Sequence, residues 1–444
     1  MNVRAAAVCV LNSAQDPYFD YEQKIAQKAD DLHLSRRDRD FLYLLVKGVI
    51  LHRPRLDFVI EMAAQRPVHK FEKTVLNLLR LGVFQYLELN TPAHAFTNET
   101  VAAARQLNKF HATGLINAVL RHLPSRELLE SRLDALPESD TLALQCSHPR
   151  WLIERWIARY GFENTRKIAE FNNRYQRIYF RHNPLKISWK ELYVKLIARR
   201  YGVQLATDLS PVFFFTDRPG DLLRSDFFKQ GCFSVQDFTQ SLAVRLLDPL
   251  EGDLILDVCA APGGKTTMIA QLAGRRSTLW AYDVSPDKVV LMRNEGFRLG
   301  IDFVNYGIAD ARSATYPMAD KILIDVPCSG TGVMARRADL RWNRSPEELK
   351  ELVTIQRQIL RNVSRFVKPG GVMVYSTCSI EPEENWQNIE WFLENEEEFH
   401  IESADRFGME KWIDRKGTVQ VLPHVHQATG AFAVRLSKKQ QMRI

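Results

Sequence analysis

The chain has no Cys-x-x-Cys pair, no G-x-G-x-x-G turn, and no apolar run near the roughly 20 residues of a membrane span. Its six cysteines, at positions 9, 146, 232, 259, 328 and 378, are too scattered for a zinc ribbon or a disulfide framework. That usage fits a reducing cytosol and predicts no metal centre. A phosphate-binding loop of the form GxxxxGK[ST] is nearly present at Gly264-Lys265-Thr266, but the pattern needs glycine where Cys259 stands. A nicotinamide dehydrogenase and a P-loop nucleotidase are thereby disfavoured, and a thiol redox protein is the least favoured alternative. Internal repeats and low-complexity tracts are absent too. The apolar N-terminal stretch MNVRAAAVCVLNSAQD is short and periodic, so it reads as a first helix rather than a signal peptide.

What is present begins with size. The 444 residues are too many for one ordinary core, so two or three domains are expected. Residues 1–138 read as an all-helical domain: FLYLLVKGVILHRPRLDFVIEMAA and EKTVLNLLRLGVFQYLEL repeat apolar residues at i, i+3, i+4 and i+7. Thr97 is the expected cap of the helix TNETVAAARQL. Residues 139–230 mix helix signals with short β-like pieces (IYFRHN, VFFFT) and read as a small α+β subdomain. From 231 to 444, apolar strands alternate with helices, the pattern of a doubly wound, mostly parallel α/β sheet.

The net charge is +7, and within residues 151–200 twelve Lys and Arg face only four Asp and Glu. Aromatics interleave that block: Trp151, Trp156, Tyr160, Phe171, Tyr175, Tyr179 and Phe180. Concentrated positive charge with aromatics is the footprint of a nucleic-acid surface, so Arg174, Arg177 and Arg181 are expected to meet phosphates. The competing expectation is an ordinary solvated helical face.

The chemistry concentrates at strand ends. The first strand of the α/β half runs into LDVCAAPGGKTT, where Cys259, Ala260, Ala261, Pro262, Gly263, Gly264 and Lys265 would let a ligand approach the backbone and a helix N-terminus. The next strand ends in Asp283, spaced like the carboxylate that accepts ribose hydroxyls in dinucleotide sites. With no pyrophosphate fingerprint, the implied cofactor is a nucleoside without one, and S-adenosylmethionine is the commonest. Asp310, past the third strand, could meet the adenine amino group.

Cys328, in ILIDVPCSGTG, and Cys378, in VMVYSTCSIEPEEN, close two further strands. A buried strand-end cysteine is usually structural. Two on one sheet suggest covalent work on a planar base. Cytosine is inert at C5 until a thiolate adds at C6 and makes an enamine able to attack a sulfonium methyl. Asp325, ahead of Cys328, could hold the N3/N4 edge of that base.

LDVCAAPGGKTT, DVPCSGTG and YSTCS together resemble the cytosine-5 RNA methyltransferases of the Sun type. The resemblance implies that Cys378 is the nucleophile and that Cys328 assists product release. It assigns the cofactor to residues 259–265, Asp283, Asp310 and Asp325, with Lys288 near the cofactor carboxylate. KGVILHRPRLDFVI, VLNLLRLGVFQYLEL, TPAHAFTNETVAAAR and GLINAVLR resemble the RNA-binding helical domain of the antitermination factor NusB. That pairing implies a bacterial member of the family acting on small-subunit ribosomal RNA, expected to be a cytoplasmic monomer. Two departures stand out: Ala335 and Ala338 after the PCS motif, and Thr429 and Ala431 in the closing strand. The alternatives are an RNA-binding assembly factor without catalysis, which retention of Cys328, Cys378 and Asp325 disfavours, and an N-methyltransferase, whose Asn/Asp-Pro-Pro-aromatic loop is here DVPCS.

Overall fold

The computed structural model describes residues 1–13, 21–174, 176–206 and 212–440. Tyr175 lies outside them. The chain divides into two units, one of residues 1–174 with 336–344, the other of 175–335 with 345–444.

The first unit is helical: α1 (Val3–Asn12), α2 (Tyr21–Asp31), α3 (Arg36–Ala64), α4 (Lys73–Leu87), α5 (Ala93–Gln106), α6 (Thr113–Arg121), α7 (Arg126–Asp134), α8 (Glu138–Gln145), α9 (Arg150–Tyr160) and α10 (Phe162–Asn173). One apolar cluster unites α1 to α7, including Leu42, Leu45, Val46, Leu78, Leu79 and Leu81. α5 starts four residues before Thr97, which is buried inside it, and Pro92 is the N-cap. Proline's fixed φ suits a helix start, so the chain turns helical earlier than the threonine suggested.

The units divide at residue 174, inside the segment 139–230 that the sequence marks as a subdomain. α9 and α10 lie in the first unit, where Trp156 and Phe171 are buried and the tilted rings of Trp156 and His148 are 5.7 Å apart. The segment 336–344 also belongs here: Ala338 joins the helical core, and Trp342 donates its indole N–H to Ile50 O at 2.7 Å. Buried Arg341 donates to Ser147 O (3.1 Å), Asn172 O (2.7 Å) and Asn173 Oδ1 (2.8 Å). The small residue at 338 is therefore set by packing.

The second unit opens with a small antiparallel sheet ordered β2-β3-β1-β4: β1 (Tyr179–His182), β2 (Gln204–Leu205), β3 (Phe213–Phe215) and β4 (Phe233–Val235). It is accompanied by α11 (Trp189–Ala198), α12 (Pro219–Leu223) and α13 (Asp226–Lys229). Phe180, Phe214 and Phe233 form its core. After α14 (Phe238–Leu247) comes the large sheet: β5 (Leu254–Val258), α15 (Gly264–Ala273), β6 (Thr278–Asp283), α16 (Pro286–Arg298), β7 (Val304–Ile308), β8 (Ala319–Asp325), α17 (Pro346–Val363), β9 (Val367–Thr377) and α18 (Trp386–Asn395). Then follow β10 (Phe399–Glu402), β11 (Val419–Val421), α19 (Pro423–His426) and β12 (Ala431–Lys438). The strand path is β10-β12-β9-β8-β5-β6-β7, parallel from β9 to β7, with β12 antiparallel to β9 and β10. Strands of unbroken apolar residues such as Ile322–Ile324 are buried on both faces, as a covered parallel sheet requires.

Candidate functional site

Strand order reverses between β5 and β8, and open α/β sheets bind ligands outside the carboxyl ends of strands at such a switch point. β5 leads into Cys259, β6 ends in Asp283, β8 ends in Asp325 and leads to Cys328, and β9 leads to Cys378. Four motifs far apart in sequence thus reach one sheet edge.

On the cofactor side, Cys259 (φ +65°) and Gly263 (φ +97°) hold left-handed backbone. Gly263 also has Met292 so close that an added β-carbon would lie 3.1 Å from its Cγ. The turn closes through Ala260 N–H to Tyr282 O and Gly263 N–H to Ala260 O, each 2.8 Å, and delivers the chain into α15. The first amides of that helix have no intrahelical acceptor. Buried Asp283 accepts from Ala261 N–H (3.1 Å) and Ser285 N–H (3.0 Å). One bond on each oxygen orients the carboxylate and leaves lone pairs for two further donors. Burial first, then Asp283, Asp325, Asp257 and Asp310, push the Cys259 thiol upward. Asp283, whose charge no cation offsets in the bonds named here, gives the turn a negative field that suits a cationic sulfonium. The residues present therefore fit S-adenosylmethionine.

Two other expected cofactor contacts stand differently. Both oxygens of Asp310 are engaged by Arg312 at 2.6–3.1 Å, and those bonds hold the carboxyl below its usual range. Lys288 sits in the first turn of α16 with an exposed side chain, its backbone N–H directed at Ser285 Oγ.

On the other side of the edge, the sulfurs of Cys328 and Cys378 are 3.2 Å apart. Their loops are joined by Gly332 N–H to Cys378 O (3.1 Å) and Gly430 N–H to Gly332 O (2.7 Å). A β-carbon at Gly332 would lie 2.7 Å from Cys378 O and from Gly430 Cα, so the second glycine of SGTG is fixed by close backbone approach. Asp325 accepts from Lys265 Nζ (2.6 Å) on one oxygen and from Ser376 Oγ (2.8 Å) on the other. Lys265, also bonded to Gln240 at 2.7 Å, thus ties the cofactor turn to the carboxylate beside the thiols.

Comparison with known proteins decides the family. Residues 244–437 match the model of the 16S rRNA methyltransferase RsmB/F family, and 1–124 match the NusB family. Residues 148–212 match the ferredoxin-like domain of RsmF/B-like methyltransferases. A probable ribosomal RNA small subunit methyltransferase B of Bacillus subtilis is 33% identical, over 91% of this chain and 92% of the relative. The chain belongs to the RsmB/F family of 16S rRNA methyltransferases. The ribosomal RNA small subunit methyltransferase B of Pectobacterium atrosepticum is 32% identical over 91% of this chain and 92% of its own length. The crystal structure of PH0851, 24% identical, covers 99% of both chains with a TM-score of 0.83 and shows the same fold. A methyltransferase homologue from Pyrococcus horikoshii, 28% identical, matches with a TM-score of 0.59 over 68% of this chain and 99% of that one. As an RsmB/F member the protein uses S-adenosylmethionine, and its substrate is ribosomal RNA.

Within that family the expected RNA contacts need one correction. Arg181 is fully buried on β1, donating to Gly264 O (2.9 Å), to Thr267 Oγ1 (3.0 Å) and to Gln236 Oε1. It clamps the start of α15 and cannot reach a phosphate. Burial lowers its guanidinium to about 9. Arg174 and Arg177 are exposed, Arg174 4.0 Å from Glu170 and Arg177 4.3 Å from the Phe215 ring. The interleaved aromatics Trp156, Phe171 and Phe180 are core residues, because helical and strand periodicity turns them inward. Thr429, unexplained by sequence, donates to Asp237 Oδ2 at 2.8 Å, where an aspartate would face a like charge. Ala431 pairs with Val421 between β12 and β11. Nothing else distinguishes it.

Sequence reasoning missed three site residues. Asp257 is buried in β5, accepts from Thr266 Oγ1 at 2.5 Å, and is pushed up to about 7 by burial. Gln240 reaches Lys265 from α14. Glu384 sits beneath both cysteine loops. Its only signal was an acidic pair after a strand, which reads as surface charge.

Proposed function

We propose that this protein transfers a methyl group from S-adenosylmethionine to C5 of a cytosine in 16S ribosomal RNA, through a transient Cys378–C6 bond. The observation that carries the reading is the pair of thiols 3.2 Å apart, beside the Lys265–Asp325 bridge, at the switch point of the sheet. The cofactor supplies an electrophilic methyl on a sulfonium. Cys378, as thiolate, adds to C6, and the ring's electron pair moves to C5. Asp325 faces the N3/N4 edge and holds the proton that N3 gains. After methyl transfer, Cys328 as thiolate takes the C5 proton, the C5–H electron pair re-forms the C5=C6 bond, the C6–S bond breaks to return Cys378 as thiolate, and N3 gives its proton back to Asp325. Cys259 to Lys265 and Asp283 hold the nucleoside, Asp310 and Lys288 flank it, and Arg174 and Arg177 contribute to the RNA path. The protein then works in the cytoplasm, where ribosomes are made. The test is incubation with methyl-labelled S-adenosylmethionine and unmethylated small-subunit RNA, followed by nucleoside analysis. Label in 5-methylcytidine is expected. Label in an N-methylated nucleoside, or none, refutes the reading.

A further inference from the structure

Glu384 has no exposure to solvent, yet it lies six residues past Cys378 and bonds to the residue after Cys328. Its Oε1 accepts from Ser329 N–H (2.8 Å) and Gln356 Nε2 (2.9 Å), and its Oε2 accepts from Ser329 Oγ. Ser329 Oγ is 3.2 Å from Ser379 Oγ, the residue after Cys378. Thr331 Oγ1 is 3.1 Å from the same hydroxyl and accepts Ile380 N–H at 3.1 Å. Gln356 gives its other bond to Pro327 O at 2.9 Å, just before Cys328. Every partner named here is a neutral donor, where a buried carboxylate is ordinarily offset by a cation. An amide in its place can keep both N–H donors on its oxygen only by turning its NH2 toward Ser329 Oγ, which reverses that bond and removes the carboxylate's charge.

From this geometry we infer that Glu384 is a positioning residue that touches neither base nor cofactor but fixes the Cys328 loop against the Cys378 loop and so sets which sulfur is the nucleophile. The inference rests on the covalent reading above for the names of the two roles. The electrostatics agree with it. Its hydrogen bond with Cys378 and its burial, with Glu384 adding its charge, hold the Cys328 thiol well above its ordinary value. Glu384 is itself raised by burial, and the Ser329, Ser379 and Gln356 bonds oppose that rise.

The experiment uses the full chain with Glu384→Gln, Glu384→Asp and Ser329→Ala, and two readouts. The first is alkylation by iodoacetamide, resolved residue by residue by mass spectrometry and needing neither RNA nor methyl transfer. In the wild type Cys378 should label well before Cys328, and in Glu384→Gln the two rates should converge. The second is turnover: a misplacement of about 1 Å costs about 100-fold. Glu384→Gln should lose about that in kcat with KM for both substrates within about twofold, and Glu384→Asp should recover part of it. Ser329→Ala, which removes one donor, should shift both readouts in the same direction by less, and it decides the matter if Glu384→Gln does not fold. Equal labelling of both thiols in the wild type overturns the inference. So does an unchanged ratio of the two labelling rates in a folded Glu384→Gln, or an unchanged ratio in Ser329→Ala. If labelling behaves as expected while no 5-methylcytidine forms, the positioning role stands and the proposed function fails.

Discussion

The two sheets of the second unit use charged residues in opposite ways. In the small sheet β2-β3-β1-β4, Arg181 turns inward and holds the first turn of α15. At the edge of the large sheet, Asp283, Asp325 and Lys265 gather around the switch point. Charge on the first is structural, and charge on the second surrounds the site. A local excess of arginine therefore gives an amount of charge and not its direction. On an amphipathic strand, alternation would supply the direction, but β1 is buried at Phe180, Arg181 and His182 in succession. Experiments that break this contrast should separate loss of chemistry from loss of scaffold.

The largest effect is expected at Cys378. Cys378→Ala should abolish methyl transfer, while calorimetry should show unchanged cofactor affinity, because the thiol acts only on the base. Measurable turnover by this variant would remove the covalent mechanism. Cys328→Ala should fail later: the adduct forms and is not released, so a protein–RNA band should persist on a denaturing gel. The same band in the wild type under the same conditions, or none in the variant, would reject the release role.

Arg181→Met tests the inward charge. It removes bonds from a charged donor to Gly264 O and Thr267 Oγ1, and bonds of this kind contribute about 1.5–3 kcal/mol each. Chemical denaturation should register a loss of that order, with weaker cofactor binding because α15 begins at Gly264. The salt dependence of RNA binding should not change. Asp283→Ala tests the outward charge. Losing one or two charge-assisted bonds to ribose should weaken cofactor affinity by about 10- to 100-fold, and RNA affinity should stay within about twofold.

What the sequence made legible follows the same line. The turn 259–265, the strand-end Asp283 and the two cysteine motifs are each written in consecutive residues, and each reached the sheet edge. The partners that make them a site are not. Lys265 meets Asp325 across 60 positions, Glu384 meets Ser329 across 55, and Arg181 meets Gly264 across 83. No local period encodes such pairs, and a buried ion reads in sequence like an exposed one. The helical unit was legible from its i, i+3, i+4 pattern, but not the addition of 336–344, whose burial depends on Arg341 reaching carbonyls of Ser147 and Asn172.

The smallest effect concerns the arginines that remain candidates for phosphate. Arg174 and Arg177 are exposed, Arg174 lying 4.0 Å from Glu170 and Arg177 4.3 Å from the centre of the Phe215 ring. A surface pair of that geometry contributes at most about 1 kcal/mol to folding, so Arg174→Glu and Arg177→Glu should leave stability nearly unaltered. If each side chain neutralises one phosphate, each replacement should lower the slope of log affinity against log salt by a little under one unit. The loss should be uniform across RNA sequences and should spare cofactor binding. The double variant should thus do what Arg181→Met does not: shift the salt slope without shifting the denaturation midpoint. An unchanged slope in the double variant would reduce the basic block to a solvated surface and move the RNA footprint elsewhere. The helical unit would then be the place to look, although its first 150 residues carry a net charge of only +2, from 19 basic and 17 acidic side chains. Contacts there would have to work through shape and individual side chains, and their salt slope should be correspondingly shallow.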